Sequence, residues 1–183
     1  SHMLYDVVRT AVSGPFDIRS NANNAQSTDS SGLVSFDSDG FTLNNGGYVN
    51  TGTFVSWNWK AGGSPSSNTD GSITSSVSAN TTNGFSIVTY TGTGSNATIG
   101  HGLGTAPHCI IMKELSNAND WFVYHQATGA TKRLKLNQAV TSATSTFLNN
   151  TTPTMLQQQK STGTNTTQAN RRILTHSACK YTM

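Results

Sequence analysis

Short stretches of β-branched and aromatic residues alternate with Gly, Asn, Asp and Ser along the chain, and helical periodicity is nearly absent. The pattern predicts short strands joined by tight turns. The clearest strand covers residues 85–90, Phe85-Ser86-Ile87-Val88-Thr89-Tyr90, opened by Asn83-Gly84 and closed by Gly92. Another is expected over residues 107–115, where Cys109 and Ile111 share one face and Ile110 and Met112 the other. Both faces are apolar, so this strand should be covered on both sides. Trp121-Phe122-Val123-Tyr124-His125 follows the turn-like residues 116–120, which predicts an antiparallel hairpin with a five-residue loop.

Lys132, Leu134 and Leu136 alternate with Arg133 and Lys135 as in a half-exposed strand, and upstream Leu33-Val34-Ser35-Phe36 and Phe41-Thr42-Leu43 flank the hairpin signal Asp37-Ser38-Asp39-Gly40. Residues 53–60 predict one more strand, with Val55, Trp57 and Trp59 on one face. Because they alternate with small polar residues, that face is expected to be core.

The organisation follows from these elements. Ser1, His2 and Met3 read as the remnant of a purification tag. Residues 61–82, dominated by Gly, Ser, Thr and Asn and containing Pro65, are expected to be a linker or long surface loop. They separate residues 4–60 from a main β module over residues 83–153, and residues 154–183 form an atypical C-terminal segment. Strand count and turn spacing together predict an all-β, antiparallel β-sandwich with a jelly-roll arrangement.

Several ordered motifs carry a resemblance. Trp59-Lys60-Ala61-Gly62-Gly63, Asn68-Thr69-Asp70-Gly71-Ser72-Ile73, Gly84-Phe85-Ser86-Ile87-Val88-Thr89-Tyr90, His101-Gly102-Leu103-Gly104-Thr105-Ala106-Pro107 and Val123-Tyr124-His125 are similar to a module of unknown function in tail and virion proteins of marine bacteriophages. The similarity covers roughly residues 31 to 153. It implies a lectin-like, concanavalin-like sandwich, a virion location and tandem copies. An internal repeat fits that implication: Leu4-Tyr5-Asp6, then Ile18, Ser20 and Asn21, overlays Val123-Tyr124-His125, then Leu134, Leu136 and Asn137. Residues 4–60 then read as the end of a preceding copy. The overlay weakens at Phe54-Val55-Ser56-Trp57-Asn58-Trp59-Lys60, for which the second copy offers Ile173 to Lys180 without tryptophans.

Composition narrows the function classes. Only 10% of the 183 residues are charged, and the net charge is +3. Every charged residue after Asp120 is basic, but these are scattered with few aromatics between them, so no specific nucleic-acid partner is expected. No apolar run approaches bilayer length, so no membrane insertion is expected. Cys109 and Cys179 are expected to be free thiols, with Cys109 buried in a strand.

No catalytic constellation emerges, and no cofactor or metal is expected. The glycine-rich run from His101 to Pro107 precedes a strand rather than a helix, so it reads as a tight turn with His101 bonded within it. Asp37-Ser38-Asp39-Gly40 and Asn68-Thr69-Asp70-Gly71 space oxygen ligands as calcium loops do, but neither reaches a distal glutamate, and turn chemistry explains both. His108 and Cys109 are adjacent and point to opposite faces of a strand, so they cannot chelate together. The remaining candidates for ligand binding are Trp57, Trp59, Trp121, Tyr124 and His125, whose flat rings suit saccharide faces. The expected function is a non-enzymatic structural module of a phage tail fibre or virion, self-associating into homo-oligomers and contributing to host-surface recognition. The alternatives are a glycan-binding adhesin and a polysaccharide depolymerase.

Overall fold

The computed structural model describes residues 2–11, 14–45, 49–139, 141–144, 148–151, 155–158 and 170–176. The strands, in chain order, begin with β1 (Met3–Leu4), β2 (Thr10–Ala11), β3 (Gly14–Arg19), β4 (Ser27–Thr28), β5 (Leu33–Phe36) and β6 (Phe41–Leu43). They continue with β7 (Ser66–Asn68), β8 (Ser75–Asn80), β9 (Phe85–Thr91), β10 (Ala97–Gly100), β11 (Cys109–Glu114) and β12 (Phe122–His125). The last are β13 (Lys132–Lys135), β14 (Ala143–Thr144), β15 (Leu148–Thr151), β16 (Met155–Gln158) and β17 (Asn170–His176). The fold is an all-β sandwich whose strand pairings are antiparallel, apart from an isolated parallel bridge between Ile73 and Ile99.

The centre is an eight-stranded sheet in the order β14-β13-β12-β11-β17-β9-β8-β7. Period two sorts its side chains to two apolar faces. On one face, Val77, Val88, Tyr90, Ile110, Met112 and Tyr124 form the main core with Ile99 of β10, which belongs to the small sheet β10-β16-β15. On the opposite face, Phe85, Ile87 and Ile111 pack against Leu4, Val7 and Val8, while Ile111 also joins Ile18, Leu115 and Trp121. The N-terminal segment thus covers the second face. β11 is covered on both sides, as its sequence predicts, although Cys109 is only half-buried. Cys179 lies outside the described residues.

Four expectations change. Residues 61–82 are not a plain linker, because β7 and β8 lie within them as part of the central sheet. A serine-rich strand can be buried when its hydroxyls are bonded: Ser75 Oγ donates to the Gly100 carbonyl at 3.1 Å and Ser78 Oγ to that of Gly63 at 2.7 Å. Residues 154–183 supply β17, which sits between β9 and β11 and pairs with both. Residues 53–60, by contrast, form no strand and are exposed throughout. The β11–β12 connection is also longer than five residues, because Leu115 and Trp121 leave the ladder to enter the N-terminal cluster.

The strand registers repeat along the chain. The pairs Phe16↔Thr28 and Asp17↔Ser27 of β3–β4 recur at constant spacing as Lys132↔Thr144 and Arg133↔Ala143 of β13–β14. Leu4↔Ile18 recurs as Val123↔Leu134. The hairpin β5–β6 pairs Leu33↔Leu43, Ser35↔Thr42 and Phe36↔Phe41, with an irregularity after Leu33. The hairpin β15–β16 pairs Leu148↔Gln158, Asn150↔Gln157 and Thr151↔Leu156, with the irregularity at the same place.

Candidate functional site

The five residues singled out by sequence do not form one site. Trp121 is 1% exposed. Its Nε1 donates to the carbonyls of Arg19 at 2.9 Å and Ala22 at 3.0 Å, so neither ring face nor polar edge is open to a ligand. Tyr124 is buried in the main core. His125 caps the short 3-10 turn Gln126–Thr128, its Nδ1 accepting from the Ala127 amide at 3.2 Å. Trp121 and Tyr124 are thus enclosed by the fold, and His125 holds its turn through Nδ1.

Trp57 and Trp59 are the opposite case. They are 73% and 55% exposed, which corrects the expectation that they are core. The physical reason is that residues 53–60 pair with no sheet in the chain, so period-two alternation here buries neither face. Trp59 stacks on Phe85, with ring centroids 6.2 Å apart and planes 21° from parallel. Phe54 and Val55 are exposed beside them. The hairpin β5–β6 adds exposed Val34, Phe36 and Phe41, so among the described residues all but Leu136 of the large apolar side chains left exposed lie within residues 33–60. Exposed apolar side chains concentrated in one stretch of sequence are a candidate interaction surface.

A second feature was not legible in the sequence. An open groove of about 520 Å3 lies where Arg9 and Gln26 meet Ser66, Ser76 and Thr91 of the central sheet. Its lining is rich in hydroxyls, but its cation is already engaged: Arg9 Nε pairs with Asp6 Oδ2 at 2.6 Å, and Nη1 donates to Gln26 Oε1 at 3.1 Å. Arg9 is 6% exposed and locks the N-terminal turn more than it faces the groove.

Elsewhere the polar residues hold loops. His101 is fully buried, and its Nδ1 accepts from the Leu103 amide at 3.2 Å inside the turn where Gly102 and Gly104 have φ of 71° and 72°. Asp37 accepts from Ser35 and Thr42 hydroxyls, and Asn68 and Asp70 bond to each other, so both acidic loops use their oxygens in turn chemistry. Lys113 is 1% exposed and donates through Nζ to the carbonyls of Glu114 and Asn117. Burial pushes its ammonium down to about 8, only partly offset by the charges of Glu114 and Asp120.

Among the described residues, no three His, Cys, Asp or Glu side chains gather to hold a metal, and no helix is long and apolar enough to cross a membrane. A family model described as a domain of unknown function (DUF7483) matches residues 1–178. No curated protein and no solved structure matches the chain.

Proposed function

From a chain that belongs to the DUF7483 family, we infer a non-enzymatic structural module of a phage virion or tail fibre that assembles with other copies of its own kind. The observation that carries this reading is the exposed apolar run of Val34, Phe36, Phe41, Phe54, Val55, Trp57 and Trp59. Leaving such surface in water costs about 25 cal/mol per Å2, and covering it with another copy recovers that energy. The virion setting rests on the sequence resemblance.

Host-surface glycan binding is the second reading, favoured by the open ring face of Trp57, which suits a saccharide. A glycan array separates the two. The structural reading expects no specific sugar to retain the intact chain. Specific hits that vanish in Trp57→Ala and Trp59→Ala overturn it in favour of an adhesin. Release of reducing ends from host polysaccharide by the purified chain overturns it in favour of a depolymerase.

A further inference from the structure

The repeated register extends to a place where the two occurrences differ. The spacing that carries β3–β4 onto β13–β14, one residue longer than the spacing that carries β5–β6 onto β15–β16, carries residues 54–60 onto Asn170–His176, the span of β17. In the second occurrence this strand is held between β9 and β11 over its whole length, and the preceding hairpin β15–β16 is extended by β10. In the first occurrence the hairpin β5–β6 is a two-stranded sheet by itself, and residues 54–60 join no sheet. Among the described residues, the large exposed apolar side chains other than Leu136 fall on these two elements.

We propose that residues 33–60 are a donated module end: in another copy, the hairpin β5–β6 and a strand of residues 54–60 fill the places that β15–β16 and β17 fill in this one. The acceptor is a sheet of this chain's own kind, its β9 and β11 edges open to one strand. This rests on the assembly reading and deepens it by naming the partner and the register.

Pairing accounts for the side chains. At the spacing of β3–β4 onto β13–β14, Val55, Trp57 and Trp59 take the positions of Arg171, Ile173 and Thr175. Ile173 pairs with Val88 and Met112, and Thr175 with Ile110, which are residues of the main core face. The three apolar side chains of residues 54–60 with matching parity therefore enter the sandwich interior. Ser56, Asn58 and Lys60 turn to the opposite face. A sequence that alternates like a strand but lies unpaired in its own chain is the expected signature of a strand completing another sheet.

The test vacates the acceptor place in the full chain. Proline in a central strand removes a ladder hydrogen bond, so Leu174→Pro opens the slot between β9 and β11. The expected result is concentration-dependent self-association of this variant in sedimentation velocity, with a far-ultraviolet β spectrum, abolished by adding Trp57→Asp and Trp59→Asp.

Register is read independently in a background in which Cys109 and Cys179 are serine. Ser56 at the place of Arg172 should lie opposite Thr89 of the acceptor. Intact donor carrying Ser56→Cys, refolded with a Leu174→Pro acceptor carrying Thr89→Cys, should form a disulfide between the two chains. Donor with Ser56→Cys shifted to Val55→Cys should not.

A Leu174→Pro chain that stays monomeric, stays unfolded with excess intact donor, or associates regardless of Trp57 and Trp59 overturns the proposal, as does cross-linking indifferent to the one-residue shift. None of these outcomes produces a sugar hit, so they leave the assembly reading to its own test.

Discussion

The indole nitrogen of Trp121 donates to the carbonyl of Arg19 at 2.9 Å, joining residues separated by 102 positions in the chain. Through this bond and its partner to Ala22, the N-terminal segment is tied to the central sheet. Ile18 and Leu115 pack around the ring, so the joint is apolar except at its one donor.

Truncation at this joint should be severe. Trp121→Ala removes a fully buried ring and is expected to cost about 3 to 5 kcal/mol. Trp121→Phe keeps most of the bulk but takes the indole donor from the Ala22 carbonyl and leaves the Arg19 carbonyl only the Ala22 amide, for roughly 1 to 3 kcal/mol. Urea titrations followed by circular dichroism check both values, and a Trp121→Phe variant as stable as the parent would show that the bonds carry nothing.

Trp57→Ala should leave the melting temperature nearly unchanged, because an exposed side chain seldom contributes more than about 0.5 kcal/mol. Trp59→Ala loses its stack on Phe85, worth about 0.5 to 1.5 kcal/mol. Differential scanning calorimetry at low protein concentration, where copies do not meet, is the relevant measurement. A loss of several kcal/mol at either position would return these residues to the core.

Lys113 gives the chain an alkaline signature. Its folded value of about 8 lies below the ordinary 10.5, so between these values the unfolded chain binds more protons at this site than the native one. Its contribution to stability therefore rises with pH from about 8 upward. Tyr5 acts in the opposite sense above its ordinary 10.0, because burial and its hydrogen bond to Asp29 hold its hydroxyl protonated in the native state. Denaturation midpoints between pH 8 and 10 should rise in the parent. The rise should be absent in Lys113→Met, and a parallel rise in that variant would assign it elsewhere.

On the acid side, Asp120 is held below the ordinary 3.8 chiefly by hydrogen bonds from Asn137 and Lys135, against an opposing effect of burial that exceeds the charge contribution of either Lys135 or Arg133. Its Oδ2 lies 2.6 Å from Lys135 Nζ. A depressed carboxylate stabilises the fold above its unfolded value, and that stability is lost as pH falls through the folded value. Asp120→Asn should be less stable at pH 7 by about 0.5 to 2 kcal/mol, reflecting a partly exposed pair and one charged acceptor. The difference should shrink below about pH 3.8. A difference constant down to pH 2 would mean that the carboxylate charge plays no part.

Sequence made part of this arrangement legible. The strand at Phe85 is legible as a β-branched and aromatic run between Asn83-Gly84 and Gly92, and the one at Ile110 from apolar residues at either parity, the pattern of a strand covered on two faces. The β5–β6 hairpin was readable from Asp39-Gly40. β8 was hidden because its buried hydroxyls look like loop composition until their carbonyl partners are seen. β17 was hidden because Asn170-Arg171-Arg172 opens it with the residues of a solvated face, although its backbone lies centrally in the largest sheet.

Residues 53–60 misled in the other direction. Their alternation is that of a good strand, but local pattern specifies a strand without specifying which sheet receives it. Among the candidate ligand residues, Trp57 and Trp59 are open and Trp121 and Tyr124 are enclosed, a distinction that one-dimensional alternation does not encode.

The place of β17 bears on how the chain reaches this state. It is the last of the described strands to be synthesised, and it separates β7–β9 from β11–β14. On a ribosome the two halves of the sheet can each form hairpins early, but their facing edges stay open until β17 itself emerges. Such high contact order slows closure and prolongs the exposure of sticky edges. Polar and charged residues at Asn170, Arg171 and Arg172 keep that late-arriving segment soluble while it waits, at the expense of the apolar content a central strand would otherwise carry.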